Sequence, residues 1–146
     1  MDVFELLEAG HHRIEQQLAE FIADYDQMSN AKKLERASLI FGEITKHFKH
    51  QESLISTVSN DQNVKQPFID ECLKDRKNIT DAKDNLLMSH VDDADFSDGL
   101  RALLGRFDAH LKHYANKLFV EFRQQMSPQE VRTMDSQATE WMLGSV

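Results

Sequence analysis

The chain has 146 residues, a length that fits one domain. Its formal net charge at pH 7 is −8. The acidic balance argues against a nucleic-acid partner, because phosphate binding needs clustered Lys and Arg. Only five Gly and two Pro occur, and this scarcity disfavours a fold of strands and tight turns. The apolar runs are too short to cross a membrane. We expect a cytoplasmic protein, because no signal-peptide layout begins the chain and the single cysteine, Cys72, cannot form an internal disulfide.

Apolar residues recur at three- and four-residue steps in the first half of the chain, which is the pattern of amphipathic helices. The first predicted helix runs from about residue 2 to 28 and the second from about 31 to 59. Ser29 is the expected cap of the second helix. The polar stretch 60–66, followed by Pro67, predicts a loop.

The same periodicity continues in the second half of the chain. A third helix is predicted over about 68–90, and an acidic loop over 92–95 follows it. A fourth helix is predicted over about 98–126, with Ser97 or Asp95 as a candidate cap. The run Ser127–Glu130 then places Ser, Pro and Glu at the positions that start a helix, which predicts a short fifth helix.

Four long helices with short loops define the predicted architecture. Each helix would be roughly 35–45 Å long. Short loops make neighbouring helices antiparallel, so the sequence predicts an all-α, up-down-up-down four-helix bundle with a short fifth C-terminal helix. No domain boundary or low-complexity tract interrupts the chain, and we therefore expect a single domain over residues 1–146.

Three histidines lie midway along the apolar faces of three of these helices. His11 is in the first, His47 in the second and His110 in the fourth. His11 precedes Ile14 by three residues, and the second helix reads HFKHQE from His47 onward. These motifs resemble the hemerythrin-like, or HHE, family, which carries a His followed by Ile in helix one and His-x-x-x-Glu pairs in helices two and four.

The resemblance implies a non-haem iron centre inside the bundle and a role in binding oxygen or nitric oxide or in handling iron. It also implies that His11, His47 and His110 are metal ligands. Imidazoles and carboxylates are suitable ligands for iron. Because residues four apart share one helix face, a His and a Glu at that spacing can reach the same cluster.

The sequence departs from the family pattern where carboxylates and a further histidine are expected. Gln51 stands four residues after His47, Tyr114 stands four after His110, and Arg76 occupies the expected His position in helix three. Two iron ions without carboxylates would leave uncompensated positive charge in the core. We therefore favour a metal-free polar layer over an ordinary di-iron centre. In that layer the histidines bond with these three residues, and Arg76 pairs with Glu15 or a small anion.

Several functions are compatible with such a site. The first is a non-catalytic, hemerythrin-like sensing or regulatory module with an incomplete or remodelled metal site. The second is a functional non-haem iron protein that binds oxygen or nitric oxide or handles iron; a single iron or zinc ion could also be held by the three histidines. The third is a metal-free interaction bundle, because the stretch His47–Glu52 also resembles anti-sigma regulators. A di-iron oxidase is disfavoured, and a protein partner, a monomer and a homodimer are all compatible with the sequence.

Overall fold

A computed structural model describes residues 3–59, 66–115, 117, 120, 124 and 127–143. Side chains are described for residues 5–52 and 70–113 and for several positions beyond residue 116. Within these ranges the chain is helical and contains no strand, which confirms the predicted all-α class. Most of the predicted loop, residues 60–65, lies outside the described residues.

The described part of the chain forms five α-helices. They are α1 (Val3–Asp24), α2 (Asn30–Ser59), α3 (Gln66–Met88), α4 (Ala94–His110) and α5 (Pro128–Leu143). A 3-10 turn, Tyr25–Gln27, follows α1, and a π-helical turn, Leu111–Ala115, follows α4. None of these helices combines the length and the apolar character needed to cross a bilayer.

The predicted starts of α2 and α5 agree with the structure. At α2, the backbone N–H of Lys32 donates to Ser29 Oγ at 3.3 Å, which is the side-chain cap expected of a serine. At α5, the backbone N–H of Val131 donates to the carbonyl of Ser127 at 3.0 Å. The first bond satisfies a donor that the first helical turn would otherwise leave unpaired, and the second is the first backbone bond of α5, accepted by the residue at its N-cap position.

Two other predicted boundaries are wrong. Pro67 lies in the first turn of α3, where a proline is tolerated because its missing N–H has no intrahelical partner. α4 begins at Ala94 rather than at Asp98. The earlier start includes Phe96 in the helix, where its buried ring stacks on Tyr25 at a centroid distance of 6.0 Å. This contact between distant parts of the chain has no local sequence signal.

The fourth predicted helix is not a uniform α-helix. It changes to π-helical geometry directly after His110, and π-helical hydrogen bonds join residues five apart instead of four. The α-helical spacing that related Tyr114 to His110 therefore does not hold across this turn. The side chain of Tyr114 lies outside the described part of the chain, and its place in a polar layer stays a prediction.

The core lies between the first four helices. α1 packs against α2 and α4, α3 packs against α2 and α4, and α5 contacts α1. Burial of each large apolar side chain contributes roughly 1.5–3 kcal/mol. The largest fully buried ones are Phe21, Phe41, Phe96, Phe107, Leu7, Ile14, Leu18 and Ile44. Leu34 also lies on α2 but is outside this core, with 57% of its surface exposed.

Candidate functional site

Three histidines from three helices meet in the core. The rings of His11 and His47 contact each other edge-on, with centroids 4.1 Å apart and planes at 66°. His110 is fully buried and close enough for its charge to lower the pKa of both other imidazoles. The structure thus brings together the three histidines that the sequence analysis singled out, and we call them the histidine layer.

Two phenylalanines pack around the histidine layer. The ring of Phe107 lies 5.9 Å from that of His11 and 6.0 Å from that of Phe48. Phe48 in turn packs edge-on against His110 at 5.8 Å. Because His47 and Phe48 are neighbours on α2, this helix supplies both an imidazole and part of its apolar surround. Such packing restricts the ring orientations and excludes bulk water.

Asp75 on α3 binds the outer nitrogen of His110. The Oδ2 atom of Asp75 lies 2.9 Å from Nδ1 of His110, and the Asp75 side chain is about one-third exposed. A carboxylate on Nδ1 fixes the ring and favours a proton on that nitrogen. No motif in the sequence indicates a role for Asp75. Its spacing of three from Cys72 and four from Ile79, both buried, places an acidic residue on the core face and was the available signal.

Arg76 lies at the edge of the histidine layer. Its guanidinium donates to the backbone carbonyl of Phe48 at 3.2 Å and forms an ion pair with Glu52 at 3.7 Å. The expected carboxylate partner was Glu15, so the observed partner differs. The guanidinium carbon of Arg76 lies over the Phe48 ring, 5.9 Å from its centroid, and the mostly buried side chain pairs with the exposed carboxylate of Glu52.

Gln51 is fully buried one helical turn after His47. Neither its Oε1 nor its Nε2 has a hydrogen-bond partner among the described residues, and the same holds for Nε2 of His47. A buried polar group without a partner costs about 1–3 kcal/mol. The site therefore offers buried donor and acceptor atoms that a water molecule or a small ligand would satisfy.

Burial keeps the histidine layer uncharged. It lowers the pKa of His47 to about 3. Burial also lowers the pKa of His11 well below its usual value, with further lowering from the other two imidazoles. For His110, burial lowers the pKa while the bond to Asp75 raises it, and the net direction is down. Neutral imidazoles at pH 7 keep a lone pair that can accept a proton or bind a cation.

The site does not fit an ordinary di-iron centre. The carboxylate seen on the histidine layer, Asp75, binds the outer nitrogen of His110 instead of bridging the core. Among the described residues, no three His, Cys, Asp or Glu side chains are arranged to hold a metal ion. Two imidazoles on one ion, with metal–nitrogen distances of about 2.1 Å, would have centroids roughly 4.5–5 Å apart. The 4.1 Å between His11 and His47 is shorter.

Comparison of the chain with protein families, with curated proteins and with solved structures finds no match. The resemblance to hemerythrin-like proteins therefore depends on the histidine motifs of the sequence alone.

Proposed function

We propose that the protein is a hemerythrin-like four-helix bundle that acts as a non-catalytic sensing or regulatory module. The observation that carries this proposal is the burial of His11, His47 and His110 side by side, with Gln51 where the family has a carboxylate. The antiparallel packing of α1 and α4, in which Tyr25 meets Phe96, supports the bundle. The remodelled site is then a neutral polar layer that binds a small ligand.

The chemistry of the site supports a binding role over oxygen activation. Redox chemistry at paired iron ions uses several carboxylates to neutralise the metal charge. Here an amide, Gln51, lies in the core, and the one carboxylate seen on a core imidazole, Asp75, is partly solvated. A neutral layer can hold a ligand by hydrogen bonds. It lacks the negative charge that two iron ions would require.

Metal analysis of the wild type and three variants tests this proposal. Wild type, Gln51→Glu and His47→Ala would be produced in medium supplemented with iron and with zinc, and their metal content measured after purification. We expect wild type to carry well below one ion per chain. Gln51→Glu should carry more, because it places a carboxylate beside the imidazoles. Two iron ions per wild-type chain, lost in His47→Ala but kept in a matched His12→Ala control, would overturn the proposal.

A second candidate is a single zinc or ferrous ion on the three imidazoles. The contact between Asp75 and His110 favours it, because metal-binding histidines commonly donate their other ring N–H to a carboxylate. Binding would require the rings of His11 and His47 to move apart. One ion per wild-type chain, abolished by His47→Ala and kept in His12→Ala, would establish this candidate in place of the metal-free layer.

A further inference from the structure

An open groove of about 750 Å³ lies on the surface between α1 and α4. Its apolar lining includes Ile22 and Leu104, which also pack partly against the core. Ala19 and Gly105 also line the groove and are exposed. A Cβ atom at Gly105 would meet nothing within 4 Å, so the chain itself gives no reason for a glycine that costs about 1 kcal/mol in a helix. The surface is open to close approach by another helix.

The two ends of the groove carry opposite charge. Glu15 and Asp108 line one end, and Asp108 adds to the effect of burial in raising the pKa of Glu15. Lys112 pairs with Asp108 at 2.9 Å and so offsets one of these two carboxylates. Arg101 is the one Lys or Arg among the described lining residues. It precedes Asp108 by two helical turns, or about 10 Å.

The local partners of Arg101 leave its charge available. It contacts Asp98 at 3.3 Å and the Ser97 hydroxyl at 3.0 Å, both on its own helix. Asp98 is 79% exposed at its side chain, and an exposed pair of this kind contributes about 0–1 kcal/mol. A carboxylate approaching from outside can therefore compete for the guanidinium.

We propose that this groove is the contact surface of a homodimer, in which a second copy of the chain lies across it in the opposite direction. A two-fold axis passing near Gly105 would place Arg101 of each copy on the Glu15 and Asp108 end of the other copy. Such an interface is self-complementary, as two-fold symmetry requires. The proposal does not depend on the ligand of the histidine layer.

Two charge-reversal variants, one at each end of the groove, test the proposed dimer. Wild type, Arg101→Glu and Glu15→Lys would be examined by sedimentation velocity at low ionic strength, from micromolar to hundreds of micromolar. We expect wild type to dimerise and each variant alone to be monomeric, because like charges then meet at both ends. An equimolar mixture of the two variants should form a heterodimer, because opposite charges meet again at both ends. Added salt should weaken both dimers.

Two glycines provide a matched steric control. Gly105→Leu fills the groove and should abolish dimerisation, whereas Gly42→Leu makes the same change at an exposed helical site with equally open space. Circular dichroism would confirm that both variants fold. A wild type that stays monomeric overturns the proposal, as does a Gly105→Leu variant that dimerises like wild type. A mixture of the charge variants that stays monomeric overturns it as well.

Discussion

The ring of His47 lies directly against Gly10 of the neighbouring helix. A Cβ atom at residue 10 would stand 2.8 Å from Nδ1 of His47 and 3.1 Å from its Cε1, closer than packed atoms tolerate. Glycine inside α1 costs about 1 kcal/mol relative to alanine, and the space needed by the imidazole accounts for it. Because His11 follows Gly10 in α1, this close approach also brings His47 beside His11.

Gly10→Ala should therefore destabilise the protein although alanine is the better helix former. We expect a loss of about 1–3 kcal/mol in the free energy of unfolding, because the added methyl group displaces His47. Gly42→Ala is the control, since its Cβ enters open space. It should stabilise the protein by about 0.4–1 kcal/mol. Urea denaturation measures both, and equal stability of the two variants would contradict the role given to Gly10.

The meeting of the three histidines could be predicted from the sequence because each one lies on the apolar stripe of its helix. Spacing alone states which residues face the core. Spacing puts both Asp75 and Arg76, adjacent on α3, near the core face, but it does not say which partner each of them binds. The structure separates them: Asp75 binds His110, and the longer Arg76 reaches Glu52.

Other features depend on contacts that no local pattern records. α4 starts early because Phe96 stacks on Tyr25, a residue far away in the sequence. The glycine at position 10 also depends on a distant contact, because the His47 side chain from another helix occupies the space that a Cβ atom would need. The sequence pattern did not predict the π-helical turn after His110, because a periodicity of about 3.6 residues assumes uniform α-helical geometry.

Because three histidines are buried, we expect the free energy of unfolding to fall in acid. Their pKa values are lowered in the folded state, so unfolding takes up protons below pH 6.5, the ordinary pKa of histidine. The stability that the neutral histidines contribute is fully present above pH 6.5. It is lost as the pH falls from about 6.5 towards 3, which is the pKa of His47 in the folded protein. Each such histidine contributes a slope of about 1.4 kcal/mol per pH unit.

Variants separate this effect from the titration of surface carboxylates. His47→Gln removes one buried imidazole, so its unfolding free energy should depend less steeply on pH, by about 1.4 kcal/mol per unit between pH 6 and 4. The exposed His90 is the control, and His90→Gln should follow wild type. Urea denaturation at several pH values gives the slopes. Parallel curves for wild type and His47→Gln would show that His47 is not held neutral in the fold.

Asp75 should control the titration of His110. Since the carboxylate raises the pKa of His110 against the effect of burial, Asp75→Asn should lower that pKa further. Nuclear magnetic resonance titration of the imidazole measures the shift. Asp75→Ala should lose about 1–3 kcal/mol of stability, because it removes the acceptor from a buried ring nitrogen. The control Asp81→Ala removes an exposed ion pair with Lys77 on the same helix and should lose at most about 0.5 kcal/mol.

Tyr25 links the end of α1 to the connection between α3 and α4. Its hydroxyl donates to the backbone carbonyl of Val91, and its ring stacks on Phe96. Tyr25→Phe keeps the ring and removes the donor, so we expect a loss of about 1 kcal/mol and faster amide exchange around Val91. Tyr25→Ala also removes the ring and should lose about 3–5 kcal/mol.

Tyr25→Phe also tests whether this contact is separate from the histidine layer. Tyr25 lies fourteen residues beyond His11 on the same helical path, which corresponds to roughly 20 Å. Substitutions that far apart without shared partners usually have additive effects. Tyr25→Phe should therefore lower the unfolding free energy equally at every pH and leave its slope between pH 6 and 4 unchanged. A slope that changes in Tyr25→Phe would mean that the protonation of the histidine layer is coupled to the opposite end of α1.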